Sequence, residues 1–177
     1  MALNDTQKEQ LAVLLEKASN TDLRGRVWRA LVQIFPTVPI ELIILDDQGR
    51  AFLVYRHDDE FTGWHHPGST WNDWETIPER RAKLVAGEIV KGAGLIGITE
   101  PKSIGWMGIY RGKGPGTNPT RHECSLVHLS HFHGTWEPRE GMGFFPLDNL
   151  PADTLEHHRL ILGRVKQFLV DGIPLHD

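Results

Sequence analysis

Carboxylates, imidazoles and one tight turn set out the chemistry open to this chain. Glu88 can offer oxygen to a hard divalent cation. Mg2+ takes near-octahedral oxygen donors, usually one or two carboxylates together with substrate phosphates. With Leu84 at i−4 and Lys91 at i+3, Glu88 can equally form a solvated surface pair worth ~0.2–0.5 kcal/mol. Pro67-Gly68 reads as a tight turn, with Ser69 after it. The chain has ten histidines. They fall into groups at His65-His66, His128/His131/His133 and His157-His158. On a strand His131 and His133 share a face and His128 points the other way, so that strand makes an awkward three-histidine metal site. His157 and His158 are about 100° apart on a helix and are expected at its surface. Trp64, Trp71 and Trp74 flank the Pro-Gly turn, where indoles pack a core or stack on a base. His66 borders the same loop.

These groups need elements to hold them. Leu11, Leu14, Leu15 and Ala18 recur at helical spacing, which predicts a helix over 4–19, and a second follows over 22–34 until Pro36. The apolar runs 40–45 and 51–56, joined by Asp46-Asp47-Gln48-Gly49, predict a hairpin covered on both faces. The stretch 63–74 is too punctuated for regular structure. A helix is expected over 76–91, with a Thr76/Glu79 capping box and Gly92 and Gly94 at its end. Strands are expected over 104–111, 124–133 and 144–147, separated by a Gly/Pro loop at 112–119. A last helix spans 154–170, with an Asp153/Glu156 capping box and a stop at Gly172. Helices before, between and after a run of strands predict an α/β domain around a mixed sheet.

Composition narrows the function classes. At 177 residues the chain has the length of one domain, roughly 100–200 residues. Residues 1–36 read as a helical extension and 37–177 as the main domain. A net charge of −4 argues against broad nucleic-acid binding, which needs a basic surface. One cysteine, Cys124, excludes an intrachain disulfide framework and a Cys-rich zinc site, and reads best as a small buried side chain. The early apolar run Leu11–Leu15 falls far short of the ~18–20 residues of a membrane span. No membrane association and a cytoplasmic location are the expectation. The N-terminal helices are free to cap a cleft or to pair with a second copy in a homodimer.

The order of pieces resembles the Nudix (MutT-like) hydrolase superfamily. The pieces are Val38–Arg50 for a first strand and turn, Phe52–Arg56 for a second strand, Gly63-Trp-His-His-Pro-Gly-Ser for the loop, and Phe144-Phe-Pro-Leu-Asp-Asn-Leu-Pro near the end. The resemblance covers about residues 38 to 170. The family signature is Gly, five residues, Glu, seven residues, Arg-Glu, an aliphatic, any residue, Glu-Glu, any residue, Gly. Laid down without gaps from Ser69, it meets Glu75, Lys83, Leu84, Val85, Gly87, Glu88 and Val90. A rival register, gapped by four residues, puts Glu79, Glu88 and Gly94 on the motif and turns the metal pair into Lys91-Gly92. The ungapped register is the preferred one.

The ungapped pattern is similar to the GDP-mannose mannosyl hydrolase branch, whose box has also lost two glutamates. The resemblance implies an α/β/α sandwich and a divalent metal, Mg2+ or Mn2+. It implies a small-molecule partner: a nucleoside diphosphate linked to another group, a nucleotide-sugar among them. Glu88 and the backbone carbonyl of Gly68 or Ser69 would hold the metal, and Glu75 with Lys83 would form a structural pair. His66, Gly68, Trp71 and Arg56 would border the substrate, and Glu140 or Glu123 would supply the base. Glu137 and His122 are further candidates. The missing glutamates at Leu84 and Gly87 leave a second reading open, a Nudix-fold module that binds without turnover.

Overall fold

The computed structural model describes residues 4–17, 37–58, 61–71, 77–111 and 121–176. Glu75, Trp74, Thr76 and the expected helix over 22–34 lie outside them. The chain divides into two units, Met1–Phe35 and Pro36–Asp177. In the first, α1 (Asp5–Lys17) carries its acidic Asp5 in the first turn. The Asn4 side chain accepts from the backbone N–H of Gln7, the local bond that favours Asn before a helix.

The second unit is built on an eight-stranded mixed sheet. Its strands are β1 (Pro39–Leu45), β2 (Arg50–His57), β3 (Thr62–His65), β4 (Gly68–Thr70), β5 (Lys102–Arg111), β6 (Arg121–His131), β7 (Met142–Pro146) and β8 (Leu175–His176). The pairing runs β3-β2-β1-β6-β5-β8, with β4 on β1 and β7 on β2. β1 runs parallel to β6, and β8 parallel to β5; the other pairs are antiparallel. The expected hairpin forms between β1 and β2, and every residue of β1 is buried. Two helices pack the unit, α2 (Pro78–Ala93) and α3 (Glu156–Asp171).

Side chains alternate along β1, and each half enters a different core. Leu42 and Ile44 join Phe52 beneath Val85, Ala86 and Ala93 of α2. Ile43 and Leu45 join Leu53 beneath Ile161, Leu162 and Val165 of α3. The architecture is therefore an α/β/α sandwich around a mixed sheet, the mixed sheet as the pattern predicts and the sandwich as the resemblance implies. Glu41 falls on the α3 face, because it alternates with Ile43 and Leu45.

Several local expectations need correcting. The stretch 63–74 is partly regular: β3 pairs β2, and β4 pairs the start of β1. Its punctuation sets the turn between two short strands. Neither helix has a side-chain cap. α2 starts after Ile77 with Pro78 in its first turn, and α3 starts after Leu155. Asp153 does not cap α3; its carbonyl instead accepts from the backbone N–H of Trp64. The expected stops do form, since Gly94 and Gly172 are both left-handed at φ +73° and +67°. Cys124 is half-buried rather than buried.

Candidate functional site

The Pro-Gly turn is fastened from both sides. The Pro67 carbonyl accepts from Leu42 N–H at 2.9 Å, and Trp71 N–H donates to the Val38 carbonyl at 2.8 Å. Between them Gly68 lies directly over the Glu41 carboxylate. A Cβ there would stand 2.5 Å from Glu41 Oε2 and 3.0 Å from the Ile40 carbonyl. The next residue, Ser69, is half-buried, and its hydroxyl accepts from the Arg81 guanidinium of α2.

Glu88 lies on the exposed side of α2. Seven residues separate it from Arg81, about two turns or ~10.5 Å along the axis. Ser69 is thus held toward the start of α2 and Glu88 sits toward its end. The oxygen expected to join Glu88 at a metal is the backbone carbonyl of Gly68 or Ser69, which the Arg81 guanidinium leaves unengaged in its bond to the Ser69 hydroxyl.

Lys83 is exposed and its ammonium pairs with the Glu100 carboxylate, which holds that carboxyl below its ordinary range. Arg56 pairs with Asp58 and lies 4.8 Å over the Phe61 ring. Trp64 is packed into the α3-side core against Phe145, at 4.9 Å between ring centres. Trp71 is half-buried. Glu123 is buried on β6, with Thr37 bridged beside it, and Glu140 is exposed in the loop before β7.

Histidines converge where the sequence suggests scatter. His157 and His158 are expected at the helix surface, yet both are buried, at 6% and 8% exposure. His66 is wholly enclosed, which leaves it no open edge for a substrate. Its Nε2 lies 2.8 Å from His158 Nδ1, and its Nδ1 lies 3.5 Å from Glu41 Oε2 and 3.3 Å from the Pro67 carbonyl. Burial pulls the His66 pKa down to about 3, against a smaller upward pull from the Pro67 carbonyl. Burial lowers His65 in the same way, opposed by its bond to the His66 carbonyl. His128, on the α2 face, is lowered by burial too, with the Leu126 carbonyl and Glu79 pulling it up.

The other end of α2 adjoins a cleft of about 500 Å³ lined by Asp46, Asp47, Arg50, Phe132, Trp136 and Phe144, among others. Trp136 Nε1–H donates to the Ala93 carbonyl at 2.8 Å, and Arg139 donates to the Gly92 carbonyl at 2.9 Å. These two side chains occupy carbonyls that every α-helix leaves unpaired at its end. None of the residues expected from sequence lines this cleft. Trp136 and Arg139 lie between expected elements, where no periodicity marks them. Glu41 carries a signal in hindsight, as a single carboxylate inside an otherwise apolar, doubly covered strand.

Known structures share this architecture. A MutT Nudix hydrolase from Burkholderia pseudomallei is 28% identical, with a TM-score of 0.52, over 74% of this chain and 98% of that one. The fold is that of the Nudix hydrolases. The Ap4A hydrolase of C. elegans matches at 11% identity and a TM-score of 0.54, over 76% of this chain and 99% of that one. A MutT protein from Methanosarcina mazei Go1 matches at 15% and 0.50, over 76% and 96%. No family model matches the chain, and neither does any curated protein. Among the described residues no helix is long and apolar enough to cross a membrane.

Proposed function

We propose that this protein is a divergent Nudix hydrolase. It would act on a nucleoside diphosphate linked to another group, with nucleotide-sugars the first class to test. One observation carries the reading: the main unit matches a MutT Nudix hydrolase over nearly all of that chain at 28% identity. The cleft beside α2 suits such a ligand. Phe132, Trp136 and Phe144 supply apolar walls for a planar base, and polar side chains of the β1–β2 turn supply its rim.

The helix end bears on the register of the motif. The motif closes on glycine, and a left-handed residue is what ends a helix. Gly94 meets that requirement, while Val90 sits inside α2, where its carbonyl accepts from Gly94 N–H. We therefore take the gapped register as the better one, against the ungapped register preferred from sequence. Lys91 and Gly92 then stand where the family places its paired glutamates, and Glu88 keeps the Glu of the Arg-Glu step. In this register Trp136 joins the cleft to the helix end that carries Lys91.

This substitution supports a second reading, a module that binds the same ligands without turnover. A lysine in place of a metal-binding glutamate favours an anionic ligand over a cation through charge alone. One experiment separates the two. The full chain is incubated with a nucleotide-sugar and dinucleotide panel, with Mg2+, Mn2+ or a chelator, and products are quantified. Cation-dependent release of a nucleotide that falls at least about tenfold in Glu88→Gln supports the hydrolase reading. Tight calorimetric binding with no product in any condition refutes it and supports the module.

A further inference from the structure

We propose that Glu41, His66 and His158 form a buried site for one borderline divalent cation of the Zn2+ type, which clamps α3 to the Pro-Gly turn. The inference is independent of the hydrolase reading, because the site lies on the α3 face and shares no residue with the motif helix. One ligating atom from each of the three side chains lies within 4.8 Å of the other two. The residues come from three separate elements: β1, the turn between β3 and β4, and α3. All three are buried.

The donor set decides the class of ion. Two imidazole nitrogens and one carboxylate oxygen suit Zn2+ and its transition-metal neighbours, whereas Mg2+ and Ca2+ select oxygen throughout. His66 presents its two nitrogens differently. Nδ1 faces the Pro67 carbonyl at 3.3 Å and Glu41 Oε2 at 3.5 Å, and Nε2 faces His158, so joining the metal on the Nε2 side takes a turn of the Glu41 carboxylate as well. A proton on Nδ1 leaves the Nε2 lone pair for a metal, the arrangement by which an outer hydrogen bond orients a metal-binding histidine. Tetrahedral bonds of ~2.0–2.1 Å set ligand nitrogens roughly 3.3 Å apart. The present separation of 2.8 Å between His66 Nε2 and His158 Nδ1 needs only a small ring movement to reach that.

Gly68 is the second, independent sign of a built site. A Cβ at this position would collide with Glu41 Oε2 at 2.5 Å. Glycine here makes room for a carboxylate, and that carboxylate is held within reach of His66. The neighbourhood is also unusually rich in imidazole. The His157 and His65 rings lie 4.0 Å and 5.4 Å from the His158 ring, centre to centre.

The test is metal content and spectrum. The full chain is stripped with chelator, loaded with Zn2+ or Co2+, desalted and measured by elemental analysis and visible absorption. The expected result is one retained ion per chain and the intense visible bands of four-coordinate cobalt. His158→Gln should weaken binding by about tenfold or more, with circular dichroism reporting its fold. His133→Ala removes an exposed imidazole that pairs with Asp47 and should change nothing. If His158→Gln does not fold, the wild-type chain and His133→Ala decide the matter. No retained ion, a six-coordinate cobalt spectrum, or loss of binding in His133→Ala overturns the proposal.

Discussion

Acid should destabilise this protein through one identifiable side chain. His66 is fully buried, and its pKa is held at about 3 rather than the ordinary 6.5, chiefly by burial. In the unfolded chain the same ring takes up its proton near the ordinary value. Above that value neither state carries the proton, so the ring adds no pH dependence. Below it, and down to the folded value, only the unfolded chain is protonated, and stability falls with pH. At about pH 5 the loss from this ring is ~2 kcal/mol, from roughly 1.5 pH units at ~1.36 kcal/mol each. That figure depends on the unfolded value alone while the folded one stays well below 5. Burial also lowers His65 and His128, which adds to the loss with the same sign. The assay is urea unfolding of chelator-treated wild type and His66→Gln at about pH 7.5 and about pH 5. The variant shifts stability at both pH values, so the informative quantity is the difference between the two pH-induced losses. That loss should be smaller in His66→Gln by ~2 kcal/mol. Equal losses in both proteins would refute the reasoning, because His66 would then be protonated or hydrated in the folded state.

Two further substitutions test the helix end and the core. Gly94→Ala forces a Cβ into a left-handed residue at φ +73° and within 2.9 Å of the Arg139 guanidinium. It should cost ~1–2 kcal/mol in chemical denaturation, and no loss would remove the argument for Gly94 as the closing glycine. Phe52→Ala empties a fully buried ring that contacts Trp136 and Phe144. It should cost ~3–5 kcal/mol in the same assay, and a loss below ~1 kcal/mol would show that the α2-side core is not packed as described.

The layers of the sandwich were legible in the sequence because periodicity reports burial. The runs 40–45 and 51–56, the apolar stripe around Val85, and the stop signals at Gly94 and Gly172 each answer to a local rule. Their counterparts in the structure fall within a few residues of expectation. The short strands Thr62–His65 and Gly68–Thr70 were not legible, because they exist only through pairing with β2 and β1. The expected Asp153 cap is missed in a segment fixed by a long-range bond, the Asp153 carbonyl accepting from Trp64 N–H of β3, a partner that no local pattern names. Of the residues assigned to the site, several meet partners that no local pattern names. Arg81 claims Ser69, Glu100 claims Lys83, and Asp58 claims Arg56. The Lys83–Glu100 pair is set by the fold rather than by the motif, since an exposed ammonium pairs with the opposite charge brought near it.

The histidines show the limit of chain position as a guide. Read along the chain, His65-His66 and His157-His158 are a loop pair and a helix pair separated by most of the domain. The register Glu41↔Gly68 places the turn over β1, and α3 lies on the same face as Glu41. Those two facts alone carry His66 to His158. A helix face that buries histidine beside Ile161 and Leu162 takes a polar ring into an apolar layer at a cost in desolvation, unless its nitrogens find partners. Metal ligation and a hydrogen-bonded imidazole pair are two uses the geometry allows, and the cobalt spectrum distinguishes them.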